Sequence, residues 1–305
     1  MVVSTFGARM VELWVPDKNG VLGNVVLGLP SPQHYADRAN LYLGCTVGRV
    51  AGRIPQAHFA GSGLSLSLEP NEGPNQLHGG GTRSFDRVEW ELITFESDES
   101  VVAEFHYVSP AGEEEYPGEL TVVSRYELFA QGVLTSTLTA ETTSACPVNL
   151  TTHSYWNLSG KAGSTIHDHE LTADVAWHVE TGEGQLPTGE LTPTPHQLSL
   201  AAPGWDDTFI LEETDHTQTP AATLSHAGSG RTLTLYTTEP ALQIYTAGYL
   251  PEEAFDDVHV LTAFGGVCLE PQRINDNALL PQFPSIVVEP GETYTHVTTH
   301  VFSCL

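Results

Sequence analysis

Basic residues are scarce in this chain of 305 residues. Lysine and arginine together number 11 against 38 aspartates and glutamates, which gives a formal net charge of -27, and only Lys18 and Lys161 are lysines. Such a surface repels nucleic acid, anionic membranes and phosphorylated ligands over about a Debye length. The expected partner is therefore a small neutral or cationic molecule, with no nucleic acid and no membrane. An acidic surface that only keeps the protein soluble is an equally good reading.

Cysteine motifs and long apolar runs are also missing. The four cysteines lie far apart without a Cys-x-x-Cys pair, which indicates neither a zinc ribbon nor a thioredoxin motif, and we expect four buried, reduced thiols. No run approaches the roughly 18 apolar residues of a membrane span, and the N-terminal segment lacks the basic and apolar regions of a signal peptide. The sequence predicts a cytoplasmic protein and assigns no oligomeric state.

Alternating apolar and polar residues are abundant. They run through residues 64–68, 133–139, 233–236 and 294–302, and clusters of Gly, Pro, Asn and Asp separate them. Many short strands between turns are typical of an all-β sandwich or barrel. No linker or repeat divides the chain, so we expect one domain over residues 1–305, with helix confined to short pieces such as Ser31 to Leu43.

Polar residues concentrate in five segments of this strand-rich sequence. The segments are GCTVGRVAGRI (44–54), NEGPNQLHGG (71–80), VNLTTHSYWNLSG (148–160), PGWDDTF (203–209) and LEPQRINDN (269–277). They contain histidines, carboxylates and arginines, which can serve as acids, bases and ligands of hydroxyl groups. A carboxylate and an imidazolium can exchange protons near neutral pH if each stabilises the charged form of the other.

Taken singly, each of these signals is weak. A histidine in a strand is more often structural than catalytic, and a glutamate before proline is usually part of a solvated turn. The sequence HDH at 167–169 offers two imidazoles as metal ligands, but a loop with incidental histidines is the better reading. The sequons at Asn149 and Asn157 are interpreted as hydrogen-bonding asparagines.

Taken together, the five segments resemble the aldose 1-epimerase (galactose mutarotase) family. GRVAGRI is similar to the family element Gly-Arg-x-x-Asn-Arg-Ile, NEGPNQLHGG to Asn-x-Leu-His-Gly-Gly, and VNLTTHSYWNLSG to Asn-Leu-Thr-x-His-Ser-Tyr-aromatic-Asn-Leu. WDDTF is similar to Asp-x-x-Phe, LEPQRIND to Glu-x-Gln, and PGETY to Pro-Gly-Glu-x-Tyr. The matches run from Gly44 to Phe302, nearly the whole chain.

The resemblance implies a single-domain β-supersandwich and an isomerase that interconverts the anomers of free aldohexoses. Glu270 would be the general base that takes a proton from the anomeric hydroxyl, and His153 the general acid that protonates the ring oxygen. No cofactor and no metal are implied. The residues implied to bind the sugar are Arg53, His78, Asp206 and Gln272.

The chain departs from the family elements at three positions. Gly52 replaces an asparagine, Asn275 replaces a proline, and Asp207 stands where a histidine or another polar residue is common. These changes bear on substrate preference more than on reaction type, and the spacing to the phenylalanine of WDDTF favours Asp206 over Asp207 as the sugar ligand. Three aromatic residues are candidates for an apolar wall of the site or for the core: Phe85, Trp156 and Trp205.

Three other functions remain open from the sequence. A hexose-6-phosphate epimerase of the same fold needs a basic cradle that the few arginines and lysines hardly supply. A glycoside hydrolase could use Asp206 and Glu270 as its two carboxylates but leaves the histidine segments unexplained. A non-catalytic sugar-binding module would have no use for Glu270 and His153 as a pair, and a serine hydrolase lacks its Gly-x-Ser-x-Gly element.

Overall fold

The computed structural model describes residues 1–202, 204–212, 216–275 and 283–304. The predicted helix is present as α1 (Pro32–Asp37), which begins after Ser31, whose hydroxyl accepts a hydrogen bond from the amide of His34. A proline at the first helical position suits a helix start because the missing N–H would have had no partner there. Short 3₁₀ turns cover Ala39–Leu41, Pro55–Ala57, Phe85–Arg87, Glu113–Glu115 and Glu183–Gln185.

Strands make up most of the regular structure, as the alternation predicts. In chain order they are β1 (Val2–Ser4), β2 (Arg9–Glu12), β3 (Trp14–Pro16), β4 (Leu22–Asn24), β5 (Thr46–Val47), β6 (Arg53–Ile54), β7 (His58–Gly61), β8 (Leu64–Ser67), β9 (Gln76–Leu77), β10 (Glu91–Glu96), β11 (Ser100–Ser109), β12 (Leu120–Phe129), β13 (Val133–Thr142), β14 (Cys146–Pro147), β15 (Thr151–Thr152), β16 (Tyr155–Trp156), β17 (His169–Ala173), β18 (Val175–Thr181), β19 (Pro187–Pro193), β20 (Gln197–Leu198), β21 (Asp206–Leu211), β22 (Ala222–His226), β23 (Arg231–Thr237), β24 (Ala241–Tyr245), β25 (Glu253–Ala254), β26 (Val260–Leu261), β27 (Val267–Gln272), β28 (Val287–Val288) and β29 (Thr293–Cys304).

Two antiparallel sheets form the body of the molecule. The larger has nine strands in the order β10-β11-β12-β13-β29-β23-β22-β17-β20, and the smaller has six in the order β16-β27-β24-β21-β18-β19. The remaining strands pair two by two, including β5 with β15 and β6 with β9. The chain passes between the two sheets several times. One of these connections, from β17 to β18, is the single residue Asp174.

The strands of the larger sheet bury alternate side chains. Along β13 the buried residues include Leu134, Ser136, Leu138 and Ala140, and the residues between them are partly exposed. This is the pattern expected of a strand with one face against a core, because successive side chains point to opposite faces.

A single apolar cluster takes side chains from both sheets. Leu138 and Leu235 from the larger sheet share it with Ile244 and Leu269 from the smaller, and all four are at most 2% exposed. Each such side chain contributes about 1.5–3 kcal/mol through burial. The two sheets therefore pack as an all-β sandwich, and the fold class predicted from the sequence is confirmed.

The cysteines differ in part from the prediction. All four are free, and Cys45, Cys146 and Cys268 are buried, but Cys304 is exposed. The prediction of four buried thiols is wrong at Cys304 because the last two residues of β29 extend beyond the core. Within the described ranges, no helix reaches the length and hydropathy that crossing a bilayer demands.

Candidate active site

The smaller sheet forms the floor of a pocket of about 440 Å³. Its neighbouring strands β21, β24 and β27 pair so that Thr208 lies opposite Gln243, and Gln243 lies opposite Glu270. Side chains two residues apart on a strand share a face, so one side of three strands supplies a row of polar groups. The floor residues are Asp206, Thr208, Gln243, Tyr245, Glu270 and Gln272.

Two further side chains reach the pocket from the β6–β9 ribbon. Arg53 pairs with Leu77 across the ribbon, which places His78 next to the arginine. The amide of Gly52 donates to His78 Nδ1 at 3.2 Å, so in the neutral ring the proton sits on Nε2. Burial lowers the pKa of His78 well below its ordinary value, with His153 and Arg53 adding to the effect. His78 is therefore a neutral N–H donor.

His153 enters the pocket at a break between two short strands. The sequence favours a continuous strand here, but β15 ends at Thr152 and β16 starts at Tyr155. The His153 amide donates to Cys45 O at 2.9 Å, and the Gly44 amide donates to His153 O at 2.8 Å. Because these bonds go to a loop rather than to a sheet neighbour, the break holds the imidazole over the floor.

His153 and Glu270 face each other in the buried end of the pocket. His153 Nε2 lies 3.6 Å from Glu270 Oε1, longer than a hydrogen bond, and the two side chains are 6% and 2% exposed. Glu270 Oε2 is buried without a hydrogen-bond partner among the described residues. A buried carboxylate oxygen without a donor is costly unless a ligand supplies one.

Burial also governs the protonation of this pair. It raises the pKa of Glu270 well above its ordinary value, with the nearby charge of Asp206 adding to the rise. It lowers the pKa of His153 to about 4. The expectation that each residue stabilises the charged form of the other is therefore wrong, since desolvation outweighs an attraction over 3.6 Å. Between the two pKa values the pair holds one proton.

Tyrosines surround the imidazole. The ring of Tyr155 stacks on His153 at 5.0 Å between centroids and that of Tyr42 at 5.9 Å, with interplanar angles of 25° and 22°. His153 Nδ1 lies 3.4 Å from the Sγ of Cys268, whose pKa burial raises well above its ordinary value. His153, Cys268 and Glu270 are donor types that could hold a metal, but Cys268 is held as a thiol rather than as the thiolate that binds metal.

The aromatic candidates from the sequence lie elsewhere. Phe85 and Trp156 are each 1% exposed and belong to the core, and Trp205 packs against Phe209 at 5.3 Å between ring centroids. None of the three is among the described residues that line the pocket, where tyrosines take that place: Tyr42, Tyr155, Tyr245 and Tyr249. Their use as an apolar wall is therefore wrong: Phe85 and Trp156 belong to the core, and the half-buried Trp205 packs against it.

Arg53 is held by a carboxylate that the sequence did not single out. Its Nε and Nη2 donate to the two carboxylate oxygens of Glu72 at 2.7 and 2.9 Å. Such a two-pronged ion pair fixes the plane of the guanidinium. Arg273, the other lining arginine, lies over the ring of Tyr294 at 4.6 Å and 3.9 Å from Glu239. The described lining residues thus offer a phosphate no unengaged cation.

Asp206 belongs to the pocket and is oriented from the neighbouring strand. Gln243 Nε2 donates to Asp206 Oδ1 at 2.9 Å, and Thr208 Oγ1 donates to Gln243 Oε1 at 2.6 Å. Asp207 is not among the described lining residues and bonds to Thr181 Oγ1 at 3.3 Å. The placement agrees with the preference for Asp206 from its spacing.

The departures at Gly52 and Asn275 have a structural counterpart. Gly52 has a φ of +74°, a left-handed conformation that glycine and asparagine both adopt readily. The amide of Asn275 donates to the carbonyl oxygens of Ala51 and Arg53 at 2.9 and 3.2 Å and accepts from Asn149 at 2.9 Å. Asn275 therefore ties the arginine loop to the end of β27. Residue 276, next along the motif, lies outside the described residues.

The structure also tests predictions for residues outside the pocket. Asn149 and Asn157 are buried and hydrogen-bonded, as interpreted from the sequence. The two imidazoles of the HDH segment do not meet: His167 is exposed beside Phe264, whereas His169 is buried and stacks on His226 at 4.6 Å. A metal site built from His167 and His169 is wrong.

The structure brings all six predicted site residues to one pocket: Arg53, His78, His153, Asp206, Glu270 and Gln272. Sequence reasoning missed Gln243, Thr208, Cys268 and Glu72. The alternation in ALQIY signals that Gln243 and Tyr245 share a face, but it does not tell which strands lie beside β24. The fold and this pocket define a β-sandwich protein with a buried acid–base pair among groups that bind hydroxyls.

Comparison with known proteins identifies the family. The family profile described as aldose 1-epimerase matches residues 1–300. The chain is 37% identical to galactose mutarotase of Sus scrofa, with 99% of this chain and 90% of that protein covered. It is 29% identical to aldose 1-epimerase of Escherichia coli strain K12, over 97% and 90%. The chain belongs to the aldose 1-epimerase family and is an isomerase.

Solved structures agree with this assignment. An aldose epimerase homologue from C. elegans superposes with a TM-score of 0.88 at 25% identity, with 99% of this chain and 95% of that chain covered. The function predicted from the sequence, aldose 1-epimerase activity, is thereby confirmed at the level of the family, and the hydrolase, sugar-phosphate and binding-module alternatives are not favoured.

Proposed function

We propose that the enzyme interconverts the α and β anomers of free glucose and galactose, with Glu270 as general base and His153 as general acid. The observation that carries the proposal is the placement of their side chains 3.6 Å apart in the pocket, one with an unpartnered buried oxygen. The printed names of the relatives, galactose mutarotase and aldose 1-epimerase, support the same reaction.

Ring opening needs one proton removed and one delivered. Glu270 takes the proton of the anomeric hydroxyl, the C1–O5 bond breaks as the C1=O1 bond forms, and His153 Nε2 gives a proton to the ring oxygen. Rotation about C1–C2 presents the other face of the aldehyde, and the reverse transfers close the ring. A positioned acid or base typically contributes about 10²- to 10⁴-fold each.

The single proton that Glu270 and His153 hold between them suits this exchange. A pair that holds one proton can accept one and donate one without any net change, provided that the proton lies on His153 when the sugar is bound. The anomeric hydroxyl favours that arrangement, because its O–H donates to the Glu270 carboxylate and stabilises the ionised form. The hydroxyl also supplies the donor that Glu270 Oε2 lacks.

The other lining residues hold the remaining hydroxyls. His78 donates from Nε2, Asp206 accepts, and Gln272, whose Oε1 is buried without a partner among the described residues, accepts as well. Arg53 offers its third nitrogen, Nη1, because Glu72 occupies the other two. These contacts require neither a metal nor a nucleotide.

A test of substrate class uses freshly dissolved α-D-glucose and α-D-galactose followed by polarimetry. We expect the enzyme to accelerate the approach of both sugars to the same final rotation as the spontaneous reaction, and the two rate constants to rank them. Glucose 6-phosphate should be accelerated less, since the lining arginines are already paired. Release of reducing sugar from methyl glycosides, or no acceleration for either hexose, would contradict the proposal.

A further inference from the structure

A second cluster of potential ligands lies where the chain passes between the sheets, at the opposite end of β21 from Asp206. It comprises Asp174, His196 and Glu212, each of which offers one atom within 4.8 Å of the other two. Backbone bonds hold the segments together, since Glu212 N donates to Asp174 O at 3.0 Å and Ala173 N donates to His196 O at 2.8 Å. The cluster thus rests on the ends of β17, β20 and β21.

The side chains approach each other without bonding. His196 Nε2 is 3.6 Å from Glu212 Oε1, and His196 Nδ1 is 3.8 Å from Asp174 Oδ1. These separations are too long for hydrogen bonds. The distance from Nε2 to Glu212 lies near the spacing of about 3.3 Å between nitrogen and oxygen ligands that share one tetrahedral zinc ion.

A buried histidine lies beside one carboxylate of this cluster. His216 is 0% exposed, and its Nε2 has no hydrogen-bond partner among the described residues, yet it lies 3.9 Å from Asp174 Oδ2. Its backbone is fixed by two hydrogen bonds with Thr237. A buried polar atom without a partner calls for an explanation, and a bound cation would supply one.

The hydrogen bond of His196 leaves its inward nitrogen unprotonated. His196 Nδ1 lies 3.1 Å from the carbonyl oxygen of Ala173, which can only accept, so the proton is on Nδ1 and Nε2 carries the lone pair. His216 Nδ1 lies 3.3 Å from Thr219 Oγ1, a hydroxyl that can accept or donate, so this contact is compatible with an unprotonated Nε2. Metal-binding histidines are usually oriented by a hydrogen bond of this kind from the other nitrogen.

We propose that His196 Nε2, His216 Nε2 and the carboxylates of Asp174 and Glu212 bind a divalent transition-metal ion such as Zn²⁺. Two neutral imidazoles and two carboxylates leave the complex uncharged, and this ligand set suits zinc better than calcium or magnesium. The ion joins the crossover between the sheets to the end of the strand that begins with Asp206. Its role is structural, because the site lies outside the catalytic pocket.

The neighbouring Asp168–His169–His226 cluster makes a matched control. There the amides of Leu158 and Ser229 donate to His169 Nε2 and His226 Nδ1, at 2.9 and 3.1 Å. The nitrogens that face Asp168 must therefore carry the protons, and no lone pair is left for a cation. Histidine and carboxylate thus form one cluster that suits a metal and one that does not.

The test is calorimetric titration of chelator-treated protein with Zn²⁺, together with thermal unfolding. We expect one Zn²⁺ per chain and a rise in Tm of roughly 4 °C at a hundredfold excess over Kd. His196→Gln and Glu212→Gln, both at exposed positions, should each weaken binding at least about tenfold. Asp168→Asn should leave binding unchanged, and so should Cys268→Ala, which removes the sulfur from the catalytic cluster.

Three results would overturn the proposal. They are no binding tighter than millimolar, binding that persists unchanged in His196→Gln, and binding lost in Cys268→Ala, which would place the ion in the catalytic pocket. His216→Gln gives a second check, since it should weaken binding to the folded protein even if its own Tm is lower. None of these measurements depends on the sugar reaction.

Discussion

Two clusters of histidine and carboxylate in this molecule differ in how fully they are bonded. In the first, Asp168 accepts from His169 Nδ1 at 3.1 Å and from His226 Nε2 at 3.0 Å, and its own side chain is 68% exposed. In the second, His153 and Glu270 are buried 3.6 Å apart, and one carboxylate oxygen has no hydrogen-bond partner in the part of the chain that the structure describes. The first pairing is complete, whereas the second is buried and incomplete.

The difference separates a structural site from a functional one. A fully bonded cluster has no capacity left for a ligand, and its hydrogen bonds contribute to folding. A buried cluster with an unused acceptor lowers stability unless something binds there, so its presence indicates function. Residue type does not distinguish the two, because both consist of imidazoles and a carboxylate.

The largest expected effect comes from removing the acid. His153→Ala should lower kcat by about 10²- to 10⁴-fold, because it removes the imidazole that faces Glu270 and that would protonate the ring oxygen. The measurement is polarimetry on α-D-galactose, with circular dichroism to check the fold. His167→Ala, at an exposed position away from the pocket, is the control. Full activity of His153→Ala would remove it from the mechanism.

The pH dependence of kcat/KM should follow the burial of the pair. As pH falls through about 4, the lowered pKa of His153, the pair gains a second proton and Glu270 can no longer act as base. The rate should then drop about tenfold per pH unit. The alkaline limb should follow the raised pKa of Glu270. An acid limb near 6.5 would contradict the buried, neutral state of His153.

A smaller effect is expected from the carboxylate that holds Arg53. Glu72→Gln should raise KM roughly threefold to tenfold with little change in kcat, because one prong of the ion pair is lost and the guanidinium turns more freely. Glu253→Gln is a matched control, since Glu253 binds Arg38 in the same two-pronged way at 3.0 and 2.6 Å, outside the described pocket lining. Equal KM changes in both variants would show that Glu72 has no specific role in sugar binding.

The smallest effect concerns the fully bonded cluster. Asp168→Asn should lower stability by about 1 kcal/mol, because one amide oxygen cannot accept from two imidazoles, while the exposure of Asp168 limits the loss. Chemical denaturation measures this change. Mutarotase activity should stay at the level of the unaltered enzyme, and a large fall would mean that this cluster supports the catalytic pocket.

The site could largely be predicted from the sequence because its residues sit in short, distinctive segments. The five polar segments contain every residue assigned to the acid, the base and the sugar contacts, and the structure brings them together. Gln243 could not be found in this way, since its place beside Thr208 and Glu270 depends on β24 lying between β21 and β27. Pairing between distant strands is not encoded in local alternation.

Protonation and burial were harder to predict than placement. The pKa directions of His153 and Glu270 follow from burial, and the sequence does not show that the rings of Tyr42 and Tyr155 cover His153. For the same reason Trp156 was open to two interpretations until the structure placed it in the core. The single domain over 1–305 and the individual residue roles stay predictions.

The most direct test of the account compares Glu270→Gln with Asp168→Asn by polarimetry of fresh α-D-galactose. Each change replaces a carboxylate beside a histidine with its amide. The two variants differ in that Asp168 belongs to the fully hydrogen-bonded cluster, whereas Glu270 belongs to the incomplete one. The account predicts that Glu270→Gln loses about 10²- to 10⁴-fold in rate while Asp168→Asn keeps the original rate. Similar rates for the two variants would contradict it.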